Sequence, residues 1–513
     1  MTAPVAEQVR FGEARGRWVL LATVLGSGLA MLDATVVNVA LPRMGEDLDA
    51  DLAGLQWTLN GYTLTLAAFI LLGGSLSDRL GRRRLFVIGT IWFALASALC
   101  GLAPNIEVLI AARALQGVGG ALLTPGSLAI ISASFAPEDR GRAIGAWSGL
   151  GGVAGAAGPF LGGWLVDAYS WRLVFLVNLP LAAAVVVIAL RHVPESMDPT
   201  ATGRIDVPGA ALGALGLAGL TYASIAGGER GLDPVVLVTG ALGVLGIVLF
   251  VVAERRGRNP LVPPELFSSR QFTVANVVTF AIYGALGAVF FLLALHLQVV
   301  AGFSPLAAGT ALLPTTLIML ALSSRSGDLA ARIGPRAQMC LGPLIAAAGL
   351  LLTLRIGPDA SYVTDVLPPV IVFGFGITTL VAPLTATVLA AAPGRHAGAA
   401  SGVNNAVARA AGLLAVALLP PVSGLTGDVY RQPAAFADGF RISMLLCAGL
   451  LAVGGVLAGL FISNATARID AERTGDTEPE PDGDRRAEVE HCFSCPVEGP
   501  RLETVRPTEK RAS

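Results

Sequence analysis

The sequence predicts an all-α integral membrane protein with fourteen transmembrane helices, on three observations. Of 513 residues, 54% are hydrophobic and only 14% are charged, whereas soluble domains carry about 25% charge. Apolar runs near the roughly 20 residues that a span requires recur along the chain. The arginines between those runs fall unequally on alternate sides.

The opening 17 residues are polar and basic, with Arg10, Arg15 and Arg17, and read as a cytoplasmic N-terminus. The first apolar run begins at Trp18 and reaches about Leu41. It is too long for a cleaved signal peptide and lacks the small-residue exit of one, so a retained first helix is expected. Further runs follow at about 57–76, 85–103, 106–133, 144–168 and 173–190, completing an N-terminal six-helix bundle over 18–190. Runs at about 207–226 and 235–253 form two inserted helices within 191–260. The last six, at about 272–297, 306–323, 337–354, 365–391, 399–422 and 442–462, form a C-terminal bundle over 261–463. Residues 464–513 are charged and Pro-bearing with no apolar period, and read as a disordered cytoplasmic tail.

An even number of spans puts both termini on one side. Nineteen arginines outside the tail then fall on that side and six on the other: Arg43, Arg172, Arg230, Arg355, Arg431 and Arg441. Positive charge is retained in the cytoplasm, so both termini are expected there, in a multi-pass inner (plasma) membrane protein.

Several classes are excluded. Net charge is −1, which argues against a nucleic-acid partner. The one lysine is Lys510, in the tail, so a Walker A phosphate loop is absent and ATP is not expected as an energy source. Five scattered cysteines make no disulfide framework. His491, Cys492 and Cys495 offer three ligands where a structural zinc site wants four, so neither a metal nor another cofactor is expected.

The two halves echo each other. Leu76-Ser77-Asp78-Arg79-Leu80-Gly81-Arg82-Arg83 follows the second run, and Leu329-Ala330-Ala331-Arg332-Ile333-Gly334-Pro335-Arg336 follows the tenth. An offset of eight helices leaves the seventh and eighth as the insert. Internal repeats of this kind accompany transporters whose bundles rock about a midplane site.

Asp33 interrupts the first helix, and an acid in hydrocarbon costs roughly 3 kcal/mol on insertion scales unless it faces the interior with a partner. Arg113 lies at matching depth. Each is seven or eight residues from the same side, about 10–12 Å at 1.5 Å per residue. The pair reads either as a structural salt bridge or as a titratable carboxylate whose proton affinity moves with its surroundings. Gly151, Gly155, Gly158 and Gly162 share one face of the fifth helix, with Pro159 inviting a kink; a packing face and a pivot are both open. Arg409 is a second intramembrane arginine, expected toward a central cavity or in a hydrogen-bond hub. His296, at the end of its helix, is expected to be solvated by interfacial water.

These motifs resemble the major facilitator superfamily, specifically its 14-helix drug:proton antiporter branch. Leu32-Asp33-Ala34-Thr35-Val36-Val37-Asn38 is similar to that branch's first-helix signature. Gly74, Asp78, Arg79, Gly81, Arg82 and Arg83 match the superfamily's loop motif. Arg113-Ala114-Leu115-Gln116-Gly117 resembles the fourth-helix motif. Gly158-Pro159-Phe160-Leu161-Gly162-Gly163 resembles the fifth-helix antiporter motif, and Trp171 to Pro180 and Ser304 to Gly309 add branch-specific support. There are three departures: Ala331 stands where the first loop has Asp78, Arg409-Ala410-Ala411-Gly412 lacks the usual glycine pair, and the His491-Cys492-Cys495 tail motif is outside the family pattern.

The resemblance implies the major facilitator fold, two six-helix bundles with two inserted helices. It also implies a proton-driven exporter, not an enzyme, of small amphipathic or drug-like compounds. Asp33 and Arg113 would couple protons. The loop residues and Gly158, Pro159, Gly162 and Gly163 would serve gating. Asn38, Trp57, Asn60, Tyr62, Gln116, Asn404 and Arg409 are candidate substrate contacts, chosen as polar or aromatic groups on spans. With no second acid in the first bundle, neutral or monocationic cargo is expected over dications. Export of a metabolite, siderophore or lipid is the alternative; an intramembrane enzyme would need a nucleophile–base pair or paired acids, which the spans lack.

Overall fold

The computed structural model describes residues 9–197, 206–257, 260–392 and 397–464. Among them are fourteen helices long and apolar enough to cross a membrane. They are α1 (Ala14–Asp47), α2 (Leu52–Leu80), α3 (Arg82–Gly101), α4 (Ile106–Ser134), α5 (Glu138–Ala168), α6 (Leu173–His192), α7 (Val207–Arg230) and α8 (Pro234–Arg256). The second half holds α9 (Arg270–Val299), α10 (Pro305–Ile333), α11 (Pro335–Thr353), α12 (Tyr362–Ala390), α13 (Ala399–Val422) and α14 (Pro433–Phe461). The tail, with His491, Cys492 and Cys495, lies outside the described residues, as do Arg204, Arg258 and Arg395.

Polar caps hold the first exposed N–H groups of several helices. Asp51 accepts from Gly54 N at 2.8 Å, Asn105 from Val108 N at 2.9 Å, Asp206 from Gly209 N at 2.8 Å and Asp233 from Val236 N at 2.7 Å. α6 breaks at Val177 and resumes at Asn178. α10 pauses at Leu312, just before Pro314.

The packing repeats as the loops do. α1 packs on α5, α2 on α4, α3 on α4 and on α6; the second half pairs α9 with α13, α10 with α12, and α11 with α12 and α14. Each pair recurs eight helices on. The two loops are clasped alike. Gly81 (φ 107°) and Gly334 (φ 86°) turn the chain in a conformation that side chains rarely adopt. Glu195, beyond α6, accepts from the first N–H groups of α3, Arg83 N at 3.0 Å and Arg84 N at 3.1 Å. Asn464, beyond α14, accepts from Arg336 N of α11 at 3.1 Å and donates to Ile333 O at 3.3 Å. The insert packs its own two helices together and lays α7 on α2 and α13.

The halves meet along two seams, α5 with α10 and α2 with α13, and along α1 with α9. Cross-half polar bonds gather at the arginine-poor face. Tyr430 Oη donates to Ala50 O at 2.7 Å, and Arg431 reaches Asp49 at 2.8 Å. Gln298 donates to Val39 O at 3.1 Å, and Gln56 to Val416 O at 2.6 Å. Asp167, ending α5, accepts from Leu306 N in the first turn of α10 at 3.0 Å. Toward the arginine-rich face the contacts of α5 thin out: a methyl added at Gly141, Gly145, Gly149 or Gly152 would meet nothing within 4 Å.

Candidate functional site

The charged centre sits inside the N-terminal half. Asp33 is 0% exposed and Arg113 1%. Arg113 Nη1 donates to Asp33 Oδ2 at 2.5 Å and to Gln116 Oε1 at 2.6 Å, while its Nε donates to Thr58 O at 3.0 Å. The second carboxylate oxygen of Asp33 accepts from Gln116 Nε2 at 2.8 Å and from Asn178 Nδ2 at 3.2 Å. Ser97 Oγ accepts from the same two amides, at 2.7 and 3.3 Å. The guanidinium also lies over the ring of Tyr62, 4.4 Å from its centroid, with the Phe175 ring at 5.7 Å. α1, α2, α3, α4 and α6 thus converge on one carboxylate. This is how a charge can be held in hydrocarbon: an ion pair with its remaining lone pairs satisfied.

Sequence reading pairs Asp33 with Arg113 from their depth, and the structure brings them together. It misses Ser97, Asn178 and the Thr58 carbonyl. Asn178 carries a usable signal, since it is an amide inside an apolar run, two residues before Pro180. The helix break at Val177 frees that position to turn inward.

Of the candidate substrate contacts, four are engaged within the protein. Gln116 belongs to the Asp33 network. Asn38 Nδ2 bonds back to Ala34 O at 3.1 Å. Asn404 donates across to α9, to Thr279 Oγ1 at 2.8 Å and Asn276 Oδ1 at 3.2 Å. Trp57 meets Tyr222 of the inserted α7, ring centroids 6.4 Å apart. Asn60, Tyr62 and Arg409 keep unspent donors, considered below.

The gating candidates separate by neighbour. A methyl on Gly158 would overlap Thr35 and crowd Leu32 O, and one on Gly162 would press on Val36 at 3.0 Å, so both pack on α1 one turn or less from Asp33. Gly163 lies against Pro305 and Leu306 of α10, and Gly309 of α10 against the Pro159 carbonyl. The expected four-glycine face is therefore split: Gly151 would meet only Met31, at 3.5 Å, and Gly155 nothing within 4 Å. In the loop, Asp78 pairs with Arg82 at 2.8 Å, and Arg83 Nη1 donates to Val193 O at 3.2 Å. Arg79 ends α2, and Gly74 has room beside Pro125, 3.7 Å from an added methyl.

His296 differs from expectation. It is 1% exposed, its ring stacks on Phe440 at 3.8 Å, and Nε2 lies 2.9 Å from Ile356 O. Phe436 and Phe440 of α14 and the α11–α12 loop fold over the end of α9 and exclude the water. Among the described residues no group of three or more His, Cys, Asp or Glu could hold a metal.

Comparison with known proteins agrees with this architecture. Residues 23–416 match the Major Facilitator Superfamily model. The chain is 36% identical to the puromycin resistance protein pur8 of Streptomyces alboniger, over 93% of this chain and 97% of that one. It is 35% identical to the methylenomycin A resistance protein of Bacillus subtilis, over 88% and 95%. The tetracenomycin C resistance and export protein of Streptomyces glaucescens is 32% identical over 85% and 84%. A peptide transporter POT shares the fold, with a TM-score of 0.64 at 16% identity over 90% of this chain and 99% of that one. A bacterial homologue of the lysosomal transporter Spinster shares it at 0.60 and 18%, over 90% and 98%. With its fourteen spans, its repeated half and a match across most of its length, the chain belongs to the Major Facilitator Superfamily.

Proposed function

We propose that this chain exports small amphipathic, antibiotic-like compounds across the plasma membrane in exchange for protons, by alternating access, with both termini in the cytoplasm. The relatives named for resistance to single antibiotics, one of them also for export, support the cargo class. The arginine-rich face is then cytoplasmic, and bonds at the opposite face hold the cavity closed to the outside.

The observation that carries proton coupling is the buried ion pair. When Asp33 takes a proton, Arg113 keeps Gln116, the Thr58 carbonyl and two aromatic faces but loses its counter-charge. Breaking a buried pair is worth about 3–5 kcal/mol, ample to bias two packings of the same helices. The strain has a short route to the seam. Leu32 and Thr35, flanking Asp33, press on Gly158, and the adjoining Pro159 carbonyl touches Gly309 of α10. Each inward proton supplies about 2.3 kcal/mol per 100 mV. Loop residues Asp78, Gly81, Arg82 and Arg83 brace the turn between α2 and α3 through such a movement.

Asp33→Asn is the test. In proteoliposomes with an imposed pH step, the variant should insert normally and lose gradient-driven efflux of an amphipathic dye by at least about tenfold. Undiminished efflux removes Asp33 from the coupling role.

A further inference from the structure

Arg409 is the intramembrane charge that proton coupling leaves unused. It lies ten residues into α13, about 15 Å from that end and so near mid-membrane. Among the described residues its guanidinium has no hydrogen-bond or ion-pair partner. An arginine at that depth is expensive unless it faces a polar cavity or an anion.

Its neighbours can be placed. α2 and α13 pack along one seam, where Gln56 bonds to the Val416 and Ala417 carbonyls at one level and Gly402 lies 3.1 Å (as an added methyl) from Leu71 at another. Residues 402, 409 and 416 recur every seven positions, two helical turns, and so share a stripe. Arg409 therefore sits on the face toward α2, opposite Thr63 by interpolation. Thr63 spends its hydroxyl on Leu59 O at 3.1 Å. Asn60 shares the Gln56 stripe of α2, is 1% exposed, and its Nδ2 has no partner. Tyr62 is 2% exposed with an unpartnered hydroxyl. The inserted α7 walls the seam beyond them, with Tyr222 on Trp57, Ile225 clustered with Ala53 and Ala417, and Gly228 against Pro421.

What the α2–α13 seam offers is donors without partners: the Arg409 guanidinium and, on the facing stripe of α2, the Asn60 amide. Among the described residues the one carboxylate near the middle of a span, Asp33, is already spent on Arg113. A planar guanidinium matches a carboxylate with two parallel hydrogen bonds. We infer that the transported cargo is an amphipathic anion, a carboxylate or phenolate, whose charged oxygens are held by Arg409 with Asn60 as a further donor. This deepens the exporter reading and rests on it for the word transported. It also revises the expectation of neutral or monocationic cargo, because the charge left open to a ligand is positive.

Three probes with one ring system separate the cases: 1-pyrenebutyrate, its primary amide, and a trimethylammonium analogue of equal chain length. Binding to the purified full chain in nanodiscs is read by titration calorimetry. The acid should bind at least about tenfold tighter than the amide, and the ammonium should bind weakest. Arg409→Gln should bring acid and amide within about twofold, while Arg409→Lys, a charge without the bidentate fork, keeps the direction of the preference at reduced size. Equal or tighter binding of the amide or ammonium by the wild type overturns the inference, as does binding of none of the three, or an acid preference that survives in Arg409→Gln. An imposed pH step on proteoliposomes tests export separately. Pyrenebutyrate that binds through Arg409 but does not move leaves the anion site standing and removes proton-driven export. Pumped ammonium without acid binding does the reverse.

Discussion

A fully buried guanidinium such as Arg113 is tolerable only while its charge is matched, and Asp33 supplies the counter-charge. Removing one partner should therefore hurt more than removing both. Arg113→Gln leaves a bare carboxylate in hydrocarbon, whereas Asp33→Asn with Arg113→Gln leaves only amides, which can bond to one another. Thermal melting in detergent should rank wild type first, the double variant second and Arg113→Gln last, the single change costing about 3–5 kcal/mol. A double variant that melts below Arg113→Gln would show that the two side chains do not act on each other. The pair was legible in sequence because intramembrane charges are rare and a helix rises by a fixed step, so depth follows from counting. Ser97 and Asn178 were not. Small polar residues are common in spans, where they often bond back to their own helix, as Asn38 and Thr90 do. Only the break in α6 and the crossing of α3 turn these two inward.

At the scale of the element, α5 shows why a glycine pattern under-determines a face. Spacings of four and three align Gly151, Gly155, Gly158 and Gly162 on one side of a cylinder, yet only the last two touch α1 closely. The sequence states which backbone could be approached; the neighbour's own course decides where it is. The difference is measurable with the smallest possible change. Gly158→Ala forces a methyl onto Thr35 and the Leu32 carbonyl, prising α1 from α5 beside Asp33. A cost of about 1–3 kcal/mol is expected from such overpacking, with efflux falling at least severalfold in the same dye assay. Gly155→Ala, filling open space in the same helix, should leave efflux and melting near wild type. Equal behaviour of the two variants would refute the assigned contact. The loops tell the opposite story: their repeat was legible, and both copies do turn on a positive-φ glycine. Their clasps, Glu195 in one half and Asn464 in the other, share no residue type. Each lies beyond the last helix of its half, more than a hundred positions from the loop it holds, so no local pattern joins them.

For the whole molecule, the seams between the halves differ at the two faces, with cross-half polar bonds gathered at the arginine-poor one. Helix count, repeat and insert follow from apolar length and charge alternation, but the state of the gate does not, because every conformation of the cycle has the same sequence. It rests on marginal differences in cross-half contact. At the arginine-poor face the Tyr430 hydroxyl, 3% exposed with its side chain, donates to Ala50 O and accepts from Arg431 Nε at 3.1 Å. The bond to Tyr430, and then that to Asp49, holds the Arg431 guanidinium above its ordinary proton affinity, so it stays charged and the latch does not open by its discharge. Opening breaks these bonds and the α5–α10 contact. Tyr430→Phe deletes one such bond without changing shape. A hydrogen bond of this kind is worth about 1 kcal/mol net, roughly a fivefold shift between two conformations. Spin labels at Arg43→Cys and Asp438→Cys, exposed at that face on opposite halves, should report it. In the Tyr430→Phe background the long-distance population should grow by about that factor. The same labels with Asp33→Asn, a neutral mimic of the protonated carboxyl, should show which packing the proton favours. If Tyr430→Phe leaves the distance distribution unchanged while Asp33→Asn moves it, the gate is set by α1 and α5 alone, and the loop bonds merely accompany closure.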